Sequence, residues 1–258
     1  MYKNIVIKIG SSTLATKQGK LDIPNLSRLV RETAALVKQK SRVIVVTSGS
    51  IVTGAEKLKL KAKPSSLPQK QAAAAVGQSI LMRQYEKAFE SFGLTVAQVL
   101  LTRDAIENRE RYNNARNTFH TLLREKVVPI VNENDTVTVE EIKFGDNDNL
   151  SALVAQLVGA DLLILLTDVD GFYMKTASGL KFKADVIEEI DHKVISAAGN
   201  SSTKVGTGGM ATKIEAAKIC RKAGIPMVIA HGRTPGVIGK IARGETVGTL
   251  FLPKGKKR

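Results

Sequence analysis

The sequence contains no tryptophan, a single cysteine and few aromatic residues, which make up 4% of the chain. One cysteine, Cys220, excludes an internal disulfide and a metal site built from several thiolates, and its place in a helical pattern predicts a buried structural thiol. The scarcity of aromatic residues leaves no evident platform on which nucleic-acid bases could stack. These absences weigh against a disulfide scaffold and against a nucleic-acid-binding module.

Long apolar runs are absent as well, since none approaches the roughly 20 residues that a membrane-spanning helix needs. Residues 1–4 lead directly into a strand pattern and lack the layout of a secretory signal. We therefore expect a cytoplasmic location and no membrane partner. With 258 residues and 43% hydrophobic content, the chain can bury a substantial core in one large domain or two lobes.

Acidic residues are outnumbered, because 24 Asp and Glu face 39 Lys and Arg, for a formal net charge of +15. Such an excess attracts nucleic acid, anionic membranes and polyanionic small molecules alike. The lysines are spread along the chain, with local clusters at 57–63 and in a basic tail at 253–258. The charge therefore identifies no partner by itself, and nucleic acid is not the expected one.

Short apolar runs alternate with helical stretches, which predicts an α/β fold with an open, mostly parallel central sheet between helix layers. The predicted strands are 4–9, 42–46, 94–101, 127–131, 161–166 and 226–230, and the predicted helices are 25–39, 69–92, 114–125, 150–158 and 212–223. Three segments predict surface excursions, the first of them a β-hairpin or edge ribbon: 136–144, 173–183 and 192–205.

Polar residues follow each of these runs, at 10–12, 47–50, 102–104, 132–135, 167–171 and 231–233. Ligands of open α/β sheets bind beyond the carboxyl ends of the strands, so these segments predict a shared crevice. The connections at the opposite strand ends read as ordinary exposed loops.

The segment 145–150 is the densest polar cluster, with Asp146, Asn147, Asp148 and Asn149 at the start of a predicted helix. An Asx-rich turn that ends in a helix cap is the simplest explanation of such residues. One cap needs one of them, however, and four are present. The surplus favours a ligand site with acceptors for an ammonium group and donors for a carboxylate.

A glycine-rich segment, 206–213, leads into a helix, and such a junction offers backbone amides and a helix dipole to an anion. It has neither the Walker A ending nor the spacing of a dinucleotide fingerprint. Lys8 at the end of the first strand and Lys213 could together clamp a phosphoryl group in transfer. Asp148 is our candidate for the acidic residue that holds both lysines.

Seven segments in order along the chain together closely resemble the glutamate 5-kinases of the amino acid kinase family: 6–12, 46–50, 129–135, 144–152, 166–171, 206–213 and 247–251. The resemblance implies the amino acid kinase fold and ATP-dependent phosphorylation of the side-chain carboxylate of L-glutamate, the first step of proline biosynthesis. It also implies Mg²⁺ with ATP as co-substrate, a homodimer or homotetramer, and proline as a feedback inhibitor. It implies no residue that binds a metal directly.

The resemblance also implies a role for individual residues. Catalysis falls to Lys8, Lys213 and Asp148, and glutamate binding to Ser48, Asn132, Asp135, Asp146 and Asn147, with the carboxylates facing its ammonium and the amides its carboxylates. Nucleotide binding falls to Lys8, Gly10, Thr167, Asp168, Thr207, Gly208, Gly209, Met210, Ala211, Thr212 and Lys213. One kinase domain, 1–252, would divide into a glutamate-binding lobe at about 1–165 and a nucleotide-binding lobe at 166–252.

Three departures from the family pattern limit this transfer, and one of them is the large basic excess, which is atypical of the family. Many relatives add a C-terminal PUA domain, and we expect none here because the chain stops soon after Pro253. The segment 173–182 lacks the Asp-Pro-Arg type of sequence that the resemblance would place beside the nucleotide.

Two alternatives remain open. The first is an N-acetylglutamate kinase. The acetylated nitrogen of its substrate carries no charge and needs no acidic residues around it, so Asp135 and Asp146 argue against this alternative. A basic nucleic-acid-binding protein on the same scaffold is the other, because a fold does not dictate a function.

Overall fold

The computed structural model describes residues 2–102, 106–137, 147–176, 178–199 and 209–255. Within these ranges, eight strands form one sheet in the order β3-β4-β2-β1-β5-β9-β10-β8, in which only the pair β9 and β10 is antiparallel. The strands are β1 Asn4–Ile9, β2 Arg42–Val46, β3 Val96–Leu101, β4 Val128–Glu133, β5 Leu162–Thr167, β8 Val186–Ile187, β9 Met227–His231 and β10 Thr249–Phe251. Strands β6 Phe172–Lys175 and β7 Lys181–Ala184 form a separate antiparallel hairpin.

Helices cover both faces of the sheet. They are α1 Ser11–Leu14, α2 Ile23–Lys38, α3 Ser50–Lys57, α4 Leu67–Glu90, α5 Arg109–Arg124, α6 Asp148–Val158, α7 His192–Gly199, α8 Met210–Lys222 and α9 Val237–Ala242. Alternate residues of each central strand enter opposite cores, because side chains of a strand point to opposite faces. In β1, Ile5 and Ile7 pack with α2, α4 and α9, whereas Val6 packs with α5, α6 and α8.

The predicted fold class is confirmed, and the central strands are apolar on both faces as expected for a parallel sheet between helix layers. The hairpin of β6 and β7 matches the predicted excursion at 173–183, while most of the predicted ribbon at 136–144 lies outside the described residues. The prediction for 192–205 was wrong at its start, where α7 forms.

Helices α3 and α9 were not predicted, because they span only eight and six residues and give little periodic signal. Cys220 is buried, as predicted, and burial raises the pKa of its thiol to about 12. Among the described helices, none combines the length and the apolar character that crossing a membrane would demand.

Candidate active site

The site begins where the two central strands end. Strands β1 and β5 are parallel neighbours, and beyond them the backbone N–H of Gly10 donates to the carbonyl of Leu166 at 3.0 Å. A Cβ atom added to Gly10 would lie 3.2 Å from that carbonyl oxygen and 3.6 Å from the Lys8 Nζ atom. Glycine thus keeps the space beside the lysine ammonium open for a ligand.

Lys8 and Lys213 meet on the carboxylate of Asp148. The Lys8 Nζ atom lies 2.5 Å from Asp148 Oδ1, and the Lys213 Nζ atom lies 3.0 Å from Asp148 Oδ2. Both lysines are 5% exposed and Asp148 is fully buried. We call these three residues the lysine–aspartate triad. Because two ammonium groups share one carboxylate, the triad has a net positive charge, which could neutralise part of the charge of a bound polyanion.

Two helix N-termini deliver the other parts of the triad. Asp148 is the first residue of α6, where the helix dipole favours a negative charge, and Lys213 lies in the first turn of α8. The hydroxyl of Thr212, one residue earlier, lies 3.1 Å from Asp148 Oδ2 and 2.8 Å from the carbonyl oxygen of Gly209, and its single proton can be donated to either acceptor. Among the described residues, both lysines and Thr212 contact this carboxylate, and the N-terminus of α8 lies beside it.

A second polar cluster surrounds Asn147, next to the triad. Its amide nitrogen donates to the carbonyl of Thr47 at 2.6 Å, to Asn132 Oδ1 at 2.7 Å and to Ser48 Oγ at 3.2 Å. Asn132 and Asn147 are buried, with 1% and 8% of their surface exposed. Three of the predicted substrate residues, Ser48, Asn132 and Asn147, are thus in contact.

The turn after β2 brings a fourth predicted substrate residue, Asp135, into contact with the start of α3. Gly49 adopts φ +104°, which places α3 so that the hydroxyl of Ser50 donates to Asp135 Oδ2 at 2.8 Å. Asp135 therefore lies at the same edge of the sheet as Ser48. Asp146, the remaining predicted substrate residue, lies outside the described residues.

Helices α3 and α4 touch backbone to backbone beside this turn. A Cβ atom on Gly77 would lie 1.8 Å from the carbonyl oxygen of Ser50, and one on Gly54 would lie 1.7 Å from that of Ala73. The two glycines therefore set the position of the turn relative to α4.

Replacing Gly77 with alanine is expected to destabilise the protein by several kcal/mol, since the added methyl group cannot fit without separating the helices. Urea unfolding followed by circular dichroism measures the change. Ser79→Ala, on the exposed side of the same helix, is the control. Its free energy of unfolding should lie within about 0.5 kcal/mol of that of the unchanged protein. A Gly77→Ala protein as stable as that control would contradict the close contact.

Most of the residues predicted to bind nucleotide lie within the described ranges. The Thr167 hydroxyl donates to Asp168 Oδ1 at 3.0 Å at the end of β5, beside the end of β1. Gly209 caps α8, whose first residues are Met210, Ala211, Thr212 and Lys213. Thr207 and Gly208 lie outside the described residues.

Sequence reasoning missed Gln78 and Gln98. The side-chain nitrogen of Asn132 donates to Gln78 Oε1 at 2.8 Å, and Gln78 Nε2 donates to Gln98 Oε1 at 3.0 Å. A glutamine within a helix or strand carries no motif, so only the three-dimensional contact identifies it. The amide nitrogens of Asn132 and Asn147, which the resemblance assigns to the substrate carboxylates, are bonded within the protein.

Within the described ranges, the residues do not form a dedicated Mg²⁺ site. Among the described residues no group of three His, Cys, Asp or Glu side chains could hold a metal ion. The Asp148 carboxylate is surrounded by two ammonium groups, which repel a cation.

Comparison with known proteins agrees with this geometry. The model of the amino acid kinase family matches residues 3–231. A glutamate 5-kinase of Clostridium acetobutylicum is 50% identical over 98% of this chain and 95% of that protein, and one of Thermoanaerobacter sp. is 50% identical over 98% of this chain and 68% of that protein. Among solved structures, carbamate kinase of Giardia lamblia bound to AMP-PNP has a TM-score of 0.67 at 15% identity, covering 98% of this chain and 99% of that one. UMP kinase of Bacillus anthracis has a TM-score of 0.64 at 18% identity, covering 98% and 97%. This chain belongs to the amino acid kinase family.

Proposed function

We propose that this protein transfers the γ-phosphoryl group of ATP to the side-chain carboxylate of L-glutamate, giving L-glutamyl 5-phosphate for proline biosynthesis. The observation that carries the proposal is the convergence of Lys8 and Lys213 on Asp148 beside a buried polar cluster. The two relatives of this chain described above, both named glutamate 5-kinase, support the choice of substrate.

The reaction needs charge neutralisation more than proton transfer. The attacking carboxylate of glutamate is already ionised at neutral pH, so no general base is required. Its oxygen forms a bond to the γ-phosphorus while the bond to the bridging oxygen breaks, and ADP leaves with that electron pair. Lys8 and Lys213 would stabilise the charge on the transferring group, and Asp148 would keep both ammonium groups in place.

The polar cluster would bind glutamate next to this phosphoryl position. Asp135 and Asp146 would attract its ammonium group, and Ser48, Asn132 and Asn147 would complete the pocket. ATP, with Mg²⁺ on its phosphates, would contact Gly10, the end of β5 at Thr167 and Asp168, and the start of α8 from Thr207 to Lys213.

Further properties follow as proposals from the same relationship. We propose a cytoplasmic enzyme that assembles as a dimer or tetramer and responds to proline. We also propose that residues 1–165 supply most of the glutamate site and residues 166–252 most of the nucleotide site.

A panel of phosphoryl acceptors tests the function. ADP release with ATP and Mg²⁺ is measured with glutamate, N-acetylglutamate, aspartate and UMP, and hydroxylamine traps any acyl phosphate. Of these four acceptors, only glutamate should give both ADP and hydroxamate at a high rate. A preference for N-acetylglutamate would show that the carboxylate-rich pocket does not select a free amine, and salt-dependent nucleic-acid binding without turnover would favour the other alternative.

Asp135→Ala is expected to raise the KM for glutamate by about 10- to 100-fold with little change in the KM for ATP, because a charged hydrogen bond contributes about 1.5–3 kcal/mol. Steady-state kinetics with each substrate varied separately gives both constants. Ser50→Ala is the matched control: it removes the hydroxyl bonded to Asp135 but leaves the carboxylate, so the change should be smaller. An unchanged KM for glutamate in Asp135→Ala would remove Asp135 from the substrate pocket.

A further inference from the structure

Four side-chain amides form a continuous hydrogen-bonded chain from the substrate pocket to the outer strand of the sheet. Asn147 donates to Asn132 at 2.7 Å, Asn132 donates to Gln78 at 2.8 Å, and Gln78 donates to Gln98 at 3.0 Å. We call these four residues the amide relay. Helix α4 supplies Gln78 and the edge strand β3 supplies Gln98.

Two backbone groups fix the direction of the relay. The carbonyl of Thr47 can only accept, so the amide group of Asn147 must turn its nitrogen toward it, at 2.6 Å. The N–H of Glu133 can only donate, so Asn132 must turn its oxygen toward it, at 2.9 Å. The nitrogen of Asn132 then points away, and Gln78 meets it with an oxygen.

Burial makes this orientation expensive to lose. Asn132 is 1% exposed, so water does not readily replace a missing partner. In the described part of the chain, Gln78 Oε1 is the acceptor bonded to the Asn132 nitrogen. Without it, that buried nitrogen is unsatisfied, and the asparagine gains by rotating or shifting away from Asn147.

The orientation decides which face Asn147 offers to a ligand. Its nitrogen is bonded to three protein acceptors, and no donor among the described residues is bonded to its Oδ1 oxygen. A carbonyl oxygen accepts from an ammonium group and cannot donate to a carboxylate. Asn147 is therefore set to recognise the α-ammonium of an amino acid.

We propose that Gln78 is a positioning residue that acts through Asn132 to hold the Asn147 oxygen toward the ammonium group of bound glutamate. The inference rests on the proposed function and deepens it, because it assigns recognition of the free amine partly to a residue on α4. Gln78 itself needs no contact with the substrate.

The test replaces Gln78 with methionine, which has a similar length but no acceptor for Asn132. The KM for glutamate should rise about three- to tenfold, as expected for one hydrogen bond, while kcat and the KM for ATP stay within about twofold. Glutarate, which has both carboxylates but no ammonium group, is measured as a competitive inhibitor against glutamate. Its inhibition constant should also stay within about twofold, a split that a general loss of structure would not produce.

Two companion variants sharpen the result. Gln78→Glu keeps an acceptor for Asn132 and should restore most of the affinity for glutamate, since the exposed Gln98 amide can rotate to donate to it. Gln71→Met, two turns earlier on α4, is the control and should match the unchanged protein. Thermal unfolding checks that each variant is folded, and Gln78→Lys, which also lacks an acceptor, replaces the methionine variant if that protein aggregates.

An unchanged KM for glutamate in Gln78→Met would overturn the inference. So would an equal rise in the inhibition constant of glutarate, since the effect would then not concern the ammonium group. Failure of the proposed function looks different, because the unchanged protein would then give no hydroxamate with glutamate, and the inference would fall with it.

Discussion

Replacing Lys213 with methionine is expected to lower kcat for glutamate-dependent ATP turnover by about 100- to 1,000-fold, the usual loss when one preorganised group that stabilises transition-state charge is removed. The KM values should change much less, because the ammonium group acts mainly on charge that develops during transfer. Methionine preserves most of the length of the buried side chain, and the contact between Lys8 and Asp148 remains. Steady-state and single-turnover measurements of ADP formation check the prediction.

Lys218→Met is the matched control, because this lysine lies on the same helix but is partly exposed and paired with Glu215. Its kcat should stay within about twofold of the unchanged protein. Lys8→Met should repeat the large loss seen with Lys213→Met. Near-normal turnover in both buried-lysine variants would refute the role assigned to the lysine–aspartate triad.

Asp148→Ala is expected to destabilise the folded protein by about 3–5 kcal/mol, since it removes the buried carboxylate that both buried ammonium groups contact. Urea unfolding followed by circular dichroism measures the loss, and catalysis should fall with it because both lysines lose the carboxylate that positions them. The effect is larger than that of removing one lysine, which leaves a paired charge behind.

The double variant Asp148→Ala with Lys213→Met separates charge from packing. It removes one of the two ammonium groups that lose their contact with Asp148 and should therefore be more stable than Asp148→Ala alone, a coupling that a double-mutant cycle detects. Equal stability of these two proteins, or a loss below about 1 kcal/mol in Asp148→Ala, would show that the carboxylate does not stabilise the lysines.

The central strands could be predicted because a strand that is buried on both faces must be apolar at nearly every position, as in Leu162–Thr167. The polar residues after β1 and β5 could be predicted to meet, because parallel neighbours end at the same edge. The meeting of Lys8, Asp148 and Lys213 follows from that topology together with two helix starts.

Other features depend on contacts that leave no local pattern. The roles of Gly54 and Gly77 arise from two helix backbones in contact, and a glycine within a helix gives no hint of its neighbour. Within the described part of the chain, Gln78 is connected to the predicted substrate residues through its hydrogen bond with Asn132. The direction in which Asn147 presents its amide depends on a carbonyl 100 positions away, so residue type alone could not decide between an acceptor and a donor.

With the catalytic role proposed for it, the lysine–aspartate triad would also link catalysis to the completion of folding. Lys8 is separated from Asp148 by 140 positions, and Asp148 from Lys213 by a further 65. A growing polypeptide therefore cannot assemble both cationic centres until its last third has emerged and docked. During refolding, enzymatic turnover should consequently recover later than the helical circular dichroism signal. The rate of that recovery would report how fast the slowest long-range contacts form.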